Sequence, residues 1–237
     1  TNGKGSTVAY LAKILQCAGY KVGVFTSPHL HCYTERMVIN GKEIGKEDVI
    51  DLIQRIKPLL LELEADGIEP PTEFEVNTAM ALLYFTEQQV DYAIMEVGMG
   101  GSIDSTNVIQ PEIAVITNVA MDHMAYLGNT LVEIAQVKSG IIKSGCITIA
   151  GAKDPAVLQV IQAAAQEKDS CLLIINQDFG WQNRQFDGEL QHFDYWEQNG
   201  PTILLETKML GEHQLDNAAL AVAAANSLGI TPAVIQV

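Results

Sequence analysis

Short apolar runs alternate along this chain with longer stretches of helical period, the pattern of a parallel β-sheet wrapped by helices. The fold class it predicts is α/β: a mostly parallel sheet flanked by helices, with a small antiparallel strand addition. Residues 6–20 read as a helix closing at Gly19, and KVGVFT at 21–26 as a buried strand after it. Asn40-Gly41, a strong turn dipeptide, predicts a hairpin over 35–44. Helical period covers 46–65, about 73–89, 131–138 and 155–166. Apolar runs at 91–97, 112–119, 146–150 and 171–175 predict further strands, the first two of them buried. Alternation over 185–207, around Asn199-Gly200-Pro201, predicts antiparallel strands, and 214–228 closes as an Ala-rich helix.

A chain of 237 residues can bury one sizeable core, so one domain is expected. Its net charge of −15 argues against a nucleic-acid surface, which would need clustered Lys and Arg. Cys17, Cys32, Cys146 and Cys171 form no Cys-x-x-Cys pair, which predicts ordinary buried or half-buried thiols rather than zinc or disulfides. No apolar run reaches membrane-spanning length and no signal-peptide pattern opens the chain, so no membrane partner and a cytoplasmic location are expected.

TNGKGS at residues 1–6 places Lys4 between Gly3 and Gly5, followed by Ser6 and an apolar helix. Backbone N–H groups of such a loop and the helix N-terminus surround phosphate oxygens; the lysine reaches the terminal phosphates and the Ser6 hydroxyl can bind Mg²⁺. A glycine separates Lys4 from Ser6, unlike the usual Gly-Lys-Ser/Thr spacing, and an ordinary helix-capping turn is the alternative reading. Such a loop needs a strand leading into it, which is expected upstream of residue 1.

The chain resembles the folylpolyglutamate synthase and dihydrofolate synthase family, a branch of the Mur ligases. The resemblance rests on six separated segments in order: TNGKGS at 1–6, FTSPHL at 25–30 followed by ERMVING, EVGMGG at 96–101, Asp104-Ser105-Thr106-Asn107, TNVAMDH at 117–123 and HQLDNAA at 213–219. It implies an ATP-binding domain over 1–237, without its upstream strand and without the glutamate-binding domain that normally follows. Thr1, Asn2, Gly3, Lys4, Gly5 and Ser6 would hold ATP phosphates, with His213 and Asn217 near the adenine. Ser6, Ser27, Glu96, His123 and a carbamylated Lys138 would surround two Mg²⁺ sites, with Lys4, Lys138 and His123 taking catalytic parts.

The residues themselves support some of these roles more than others. Glu96 ends an apolar strand, where a carboxylate emerges at the ligand-binding edge of an open α/β sheet. His123 in a polar turn has the alternative reading of a surface histidine, Lys138 that of a solvated helix-end lysine, and the 213/217 pair that of helix capping. Phe74, Glu75 and Asp104 are expected near the pterin or acyl substrate, although a helical Phe is more often core.

Two departures stand out: Val137 replaces a usual glutamate, and Ser102 stands where the family carries an arginine. The activity implied is ATP-dependent addition of L-glutamate to a folate or dihydropteroate carboxylate through an acyl phosphate. The alternatives are a Mur-type amino-acid ligase of cell-wall synthesis or a non-catalytic nucleotide-binding module.

Overall fold

The computed structural model describes residues 3–198 and 200–231. Helix α1 (Lys4–Cys17) leads into β1 (Val22–Phe25), and a tight turn with Asn40 and Gly41 at positive φ joins β2 (Met37–Ile39) to β3 (Lys42–Glu43). Helices α2 (Lys46–Ala65) and α3 (Glu73–Glu87) precede β4 (Tyr92–Met95), which pairs parallel with β1. Strand β5 (Ile113–Ile116), the single turn α4 (Met124–Leu127), α5 (Leu131–Ser139), β6 (Ile147–Ala150), α6 (Pro155–Glu167) and β7 (Cys171–Ile174) then build a second parallel group. An antiparallel sheet of β8 (Phe179–Phe186), β9 (Gln191–Glu197) and β10 (Ile203–Thr207) precedes α7 (Glu212–Ser227).

The parallel strands are apolar on both faces because helices cover both. On β1 and β4, Val22, Val24, Tyr92 and Ile94 face α1 and α7, while Phe25 and Met95 face α2 and α3. On β5, Ile113 and Val115 join the first group, and Ala114 and Ile116 pack under α5 and α6. Helix α7 lies between α1, the parallel strands and the antiparallel sheet, so residues 217–225 are buried all round. Its alanines follow from that position: a helix enclosed on every side admits only small side chains where backbones come close.

The strand order is β3-β2-β1-β4 in one sheet and β5-β6-β7 in another; among the described residues β4 and β5 are not hydrogen-bonded to each other. A cavity of about 420 Å³ separates them, floored by Thr7, Val8 and Leu11 of α1 and walled by both strand edges. This corrects the expectation of fully buried strands at 91–97 and 112–119. Ala93 is exposed and Ile94, Ile113 and Val115 are only half-buried, because each strand has a neighbour on one edge alone.

Two further expectations change, and a third lies outside the described residues. The antiparallel sheet has a third strand, β8, whose outer residues Gln182 to Phe186 are exposed and so lack an alternating apolar pattern. The turn at Asn199 lies outside the described residues, although β9 and β10 pair across it in register from Tyr195 and Ile203. All four cysteines are free, and Cys32 and Cys171 are exposed rather than half-buried. No helix among the described residues is long and apolar enough to cross a membrane.

Candidate functional site

The carboxyl ends of β1, β4 and β5 and the N-terminal ends of α1 and α7 meet on one side of the molecule, where ligands of open α/β sheets bind. Thr1 and Asn2 lie outside the described residues. Gly3 caps α1 with φ +80° and no side-chain hydrogen bond, and its carbonyl accepts the Thr7 N–H at 3.0 Å. A Cβ on Gly3 would stand 2.1 Å from the Asn217 Oδ1 atom, so only glycine lets α7 close onto this loop. Asn217 is buried, and its Nδ2 donates to Gln214 Oε1 at 3.1 Å. The N-cap residue of α7 is Gly211, which brings no side chain to the helix end. His213 is exposed in the first turn, its ring against Gly211.

Glu96 leaves β4 at this end, with its Oε1 4.0 Å from where a Gly5 Cβ would be. Burial raises its pKa, against the opposing pull of the Lys4 ammonium and of the Ser27 N–H that donates to it. Lys138, in the last turn of α5, shifts the other way: burial lowers its pKa first, Lys4 repulsion adds to that, and Asp122 attraction opposes it. Lys4, Glu96, Ser27, Lys138 and Asp122 therefore form one electrostatic group. In a chain of net charge −15, two lysines converge at the head of α1.

His123 adopts φ +48° at the head of α4, half-exposed, with its Nε2 3.7 Å from Asp122 Oδ1. It joins the group through Asp122, a residue the sequence reading passed over even though Asp-His is the polar core of its own segment. Ser6 lies half-buried in the first turn of α1.

The three expected substrate contacts are differently employed. Phe74 points inward: its ring is 5.8 Å from that of Phe25, and a Cβ on Gly98 would be 2.7 Å from it. Glu75 closes a capping box on α3, its Oε2 accepting the Thr72 N–H at 2.6 Å and the Thr72 hydroxyl at 2.8 Å. Asp104 is buried and accepts the Met99 N–H at 2.8 Å and the Thr106 N–H at 3.0 Å. It thus holds the EVGMGG loop in shape.

The same loop is fixed from below by α5. Ser102 N–H donates to Val137 O at 2.8 Å, and a Cβ on Gly101 would come within 2.6 Å of that carbonyl. The Ser102 residue is exposed and brings no charge to the position.

Known proteins resemble this chain in sequence and in fold. Residues 1–225 match the Mur ligase middle domain. The dihydrofolate synthase/folylpolyglutamate synthase of Bacillus subtilis (strain 168) is 41% identical over 237 residues, covering 96% of this chain and 53% of that protein. A solved FPGS–AMPPCP complex superposes with a TM-score of 0.94 at 35% identity, over 100% of this chain and 60% of that one. An FPGS–AMPPCP–folate complex gives 0.93 at 36% identity, over 100% and 59%. The chain spans about half the length of the curated relatives it matches. A match running from the phosphate loop through α7, over a fold that superposes along its whole length, means that this chain belongs to the Mur ligase middle-domain family.

Proposed function

We propose that this chain is the ATP-binding part of a ligase that adds L-glutamate to a folate or dihydropteroate carboxylate. The observation that carries this reading is the half-buried Glu96 at the exit of β4, facing Lys4 of the phosphate loop, with Lys138 beside them. Its relatives of known structure include complexes with AMPPCP, an ATP analogue, and with folate.

Two anions, the substrate carboxylate and the nucleotide, must approach each other in such a reaction. Lys4 at the head of α1 neutralises the terminal phosphates, and the loop N–H groups cradle them with the helix dipole behind. The carboxylate oxygen attacks the γ-phosphorus, the bond to the β-bridging oxygen breaks, and ADP leaves. The resulting acyl phosphate is attacked by the glutamate amine, which loses a proton and expels inorganic phosphate. Recognition of glutamate belongs, in this reading, to polypeptide outside these 237 residues.

Mg²⁺ fits the donors present: the hydroxyls of Ser6 and Ser27, the Glu96 carboxylate and the His123 imidazole are mostly hard ligands. The raised Glu96 pKa marks a carboxylate that burial penalises more than Lys4 compensates. When bound, the ion supplies charge neutralisation at the transferred phosphoryl group.

Lys138 as a carbamate is the second part of the reading. Its lowered pKa enlarges the neutral fraction, and a neutral amine can attack CO₂, lose a proton and become an anion. That change replaces a repulsion against Lys4 by an attraction. The slot between β4 and β5 is, in the same reading, the seat of the strand expected to lead into the phosphate loop. In support, the buried Thr7 hydroxyl on its floor has no hydrogen-bond partner among the described residues.

The test compares the 237-residue chain with the protein extended at both ends, supplied with Mg²⁺-ATP, glutamate and either tetrahydrofolate or dihydropteroate. ADP and a glutamylated product in equal amounts from the extended protein, and neither from the short chain, are expected. Product from the short chain refutes the division of labour, and no product with either acceptor refutes the reaction.

A further inference from the structure

Helix α7 presents two adjacent polar residues, Asp216 and Asn217, and they look in different directions. Successive helical residues are about 100° apart around the axis. Asn217 lies against Gly3 of the phosphate loop. Asp216 faces away from it and joins two other parts of the fold. Its Oδ1 accepts the indole N–H of Trp181 on β8 at 2.9 Å, and its Oδ2 accepts from Lys153 Nζ at 2.7 Å, in the loop after β6.

We propose that Asp216 is a positioning residue for the nucleotide: by tying α7 to β8 and to the β6 loop it fixes the rotation of the helix, and hence where Asn217 meets the phosphate loop. The inference rests on the reading of Asn217 as a nucleotide-site residue and adds to it the device that aims it.

The geometry favours this over an ordinary surface ion pair. Lys153 is 55% exposed, and a pair so exposed contributes little by itself. Asp216 is only 23% exposed, and Trp181 packs against the main core, so the indole bond is sheltered and charge-assisted. Both carboxylate oxygens are held from different elements, which fixes a direction as well as a distance. One turn further along α7, a Cβ on Gly151, at the exit of β6, would lie 2.9 Å from the Leu220 side chain, so the helix cannot turn without striking this loop. Asn217 has little tolerance in the opposite direction, since its amide occupies the space a Gly3 side chain would take.

The experiment measures Mg²⁺-AMPPCP affinity by calorimetry, and melting temperature alongside, in the full chain and in Asp216→Ala, Asp216→Asn, Trp181→Phe, Lys153→Met and Asn217→Ala. Asp216→Ala is expected to weaken binding about tenfold, the scale of one hydrogen bond to a charged group. Asp216→Asn, which keeps an acceptor for the indole, recovers part of the loss, and Lys153→Met weakens binding by less than Asp216→Ala does, since it cuts one of the two ties and the more exposed one. The double variant Asp216→Ala/Asn217→Ala binds no more weakly than Asn217→Ala alone, because one residue acts through the other.

Asn217→Ala binding like the parent removes the underlying reading, and the inference with it. Asn217→Ala binding weakly while Asp216→Ala binds normally, or melts lower at unchanged affinity, overturns the inference alone. So does additivity of the two losses. Should Asp216→Ala not fold, Trp181→Phe carries the test: weaker binding supports the inference and unchanged binding overturns it.

Discussion

Gly3 shows how much one residue type can decide. Its φ of +80° excludes most side chains, and the Asn217 amide fills the space beside it. Gly3→Ala is expected to destabilise the chain by about 1–3 kcal/mol, the cost of a non-glycine residue held in that backbone region, and to abolish measurable AMPPCP binding. Thermal melting and calorimetry check both parts. Lys138 supplies a second prediction. Its folded pKa lies below its unfolded value, so protonation disfavours the folded form as pH falls through that interval, and the neutral amine gains population as pH rises. Under ¹³CO₂ held at fixed dissolved concentration, the chain should show one carbamate carbon resonance that grows with pH and is missing in Lys138→Arg. A spectrum without it removes the carbamate from the account. At this scale the sequence was legible where position along a strand implies direction, as for Glu96 after β4. It was silent on the intramolecular contacts of Phe74, Glu75 and Asp104, where the residue type suits a ligand and the local geometry adds a packing or capping role. The signals for two of these were present: Thr72-x-x-Glu75 is a capping-box spacing, and Asp104 before Ser105-Thr106 is a turn-capping aspartate.

Among the elements, α3 and the β8–β9 hairpin carry separate predictions. Thr72→Ala should cost about 1 kcal/mol of stability, as loss of an N-cap does, while leaving folate affinity in the extended protein unchanged. Altered folate affinity at unchanged stability would return Glu75 and its partner to the substrate site. In the hairpin, His192 lies between Asp187, at 2.9 Å, and Glu206, at 3.2 Å. The hydrogen bond to Asp187 raises the His192 pKa, so its stabilisation is present below the unfolded imidazole value and is lost as pH rises through the folded one. Asp187 is held well below the usual carboxylate range by His192 and two backbone N–H groups, so its share is present above the ordinary carboxylate pKa and lost in acid. Hydrogen-exchange protection of β8 and β9, corrected for intrinsic rates, should therefore be greater at pH 5.5 than at pH 8. His192→Gln should remove the difference; a difference that survives it would assign the effect elsewhere. Strand β8 was not visible in the sequence because its outer half faces solvent and carries no alternation. The parallel strands and long helices were visible because burial on both faces, or on one stripe, writes a period into the residues.

For the whole molecule, the mixed sheet β3-β2-β1-β4 and the parallel sheet β5-β6-β7 share the α1/α7 layer on one face yet are separated by a slot between β4 and β5. Supplying an apolar strand that runs into residue 1 should raise the melting temperature and protect the amides of β4 and β5 from exchange; no protection would mean that the slot is not a strand site. Elements were legible from the chain, but the gap was not, because periodicity describes each strand and says nothing of the neighbour it lacks. The charge distribution is likewise a property of the whole: an acidic molecule gathers Lys4 and Lys138 at one loop. The most direct test of the account is a titration of AMPPCP into the 237-residue chain, with and without Mg²⁺, beside Lys4→Ala. Weak saturable binding that requires Mg²⁺ and falls at least about tenfold in Lys4→Ala is predicted, since a charge-assisted contact to phosphate is lost. Binding indifferent to both the ion and the lysine would contradict it.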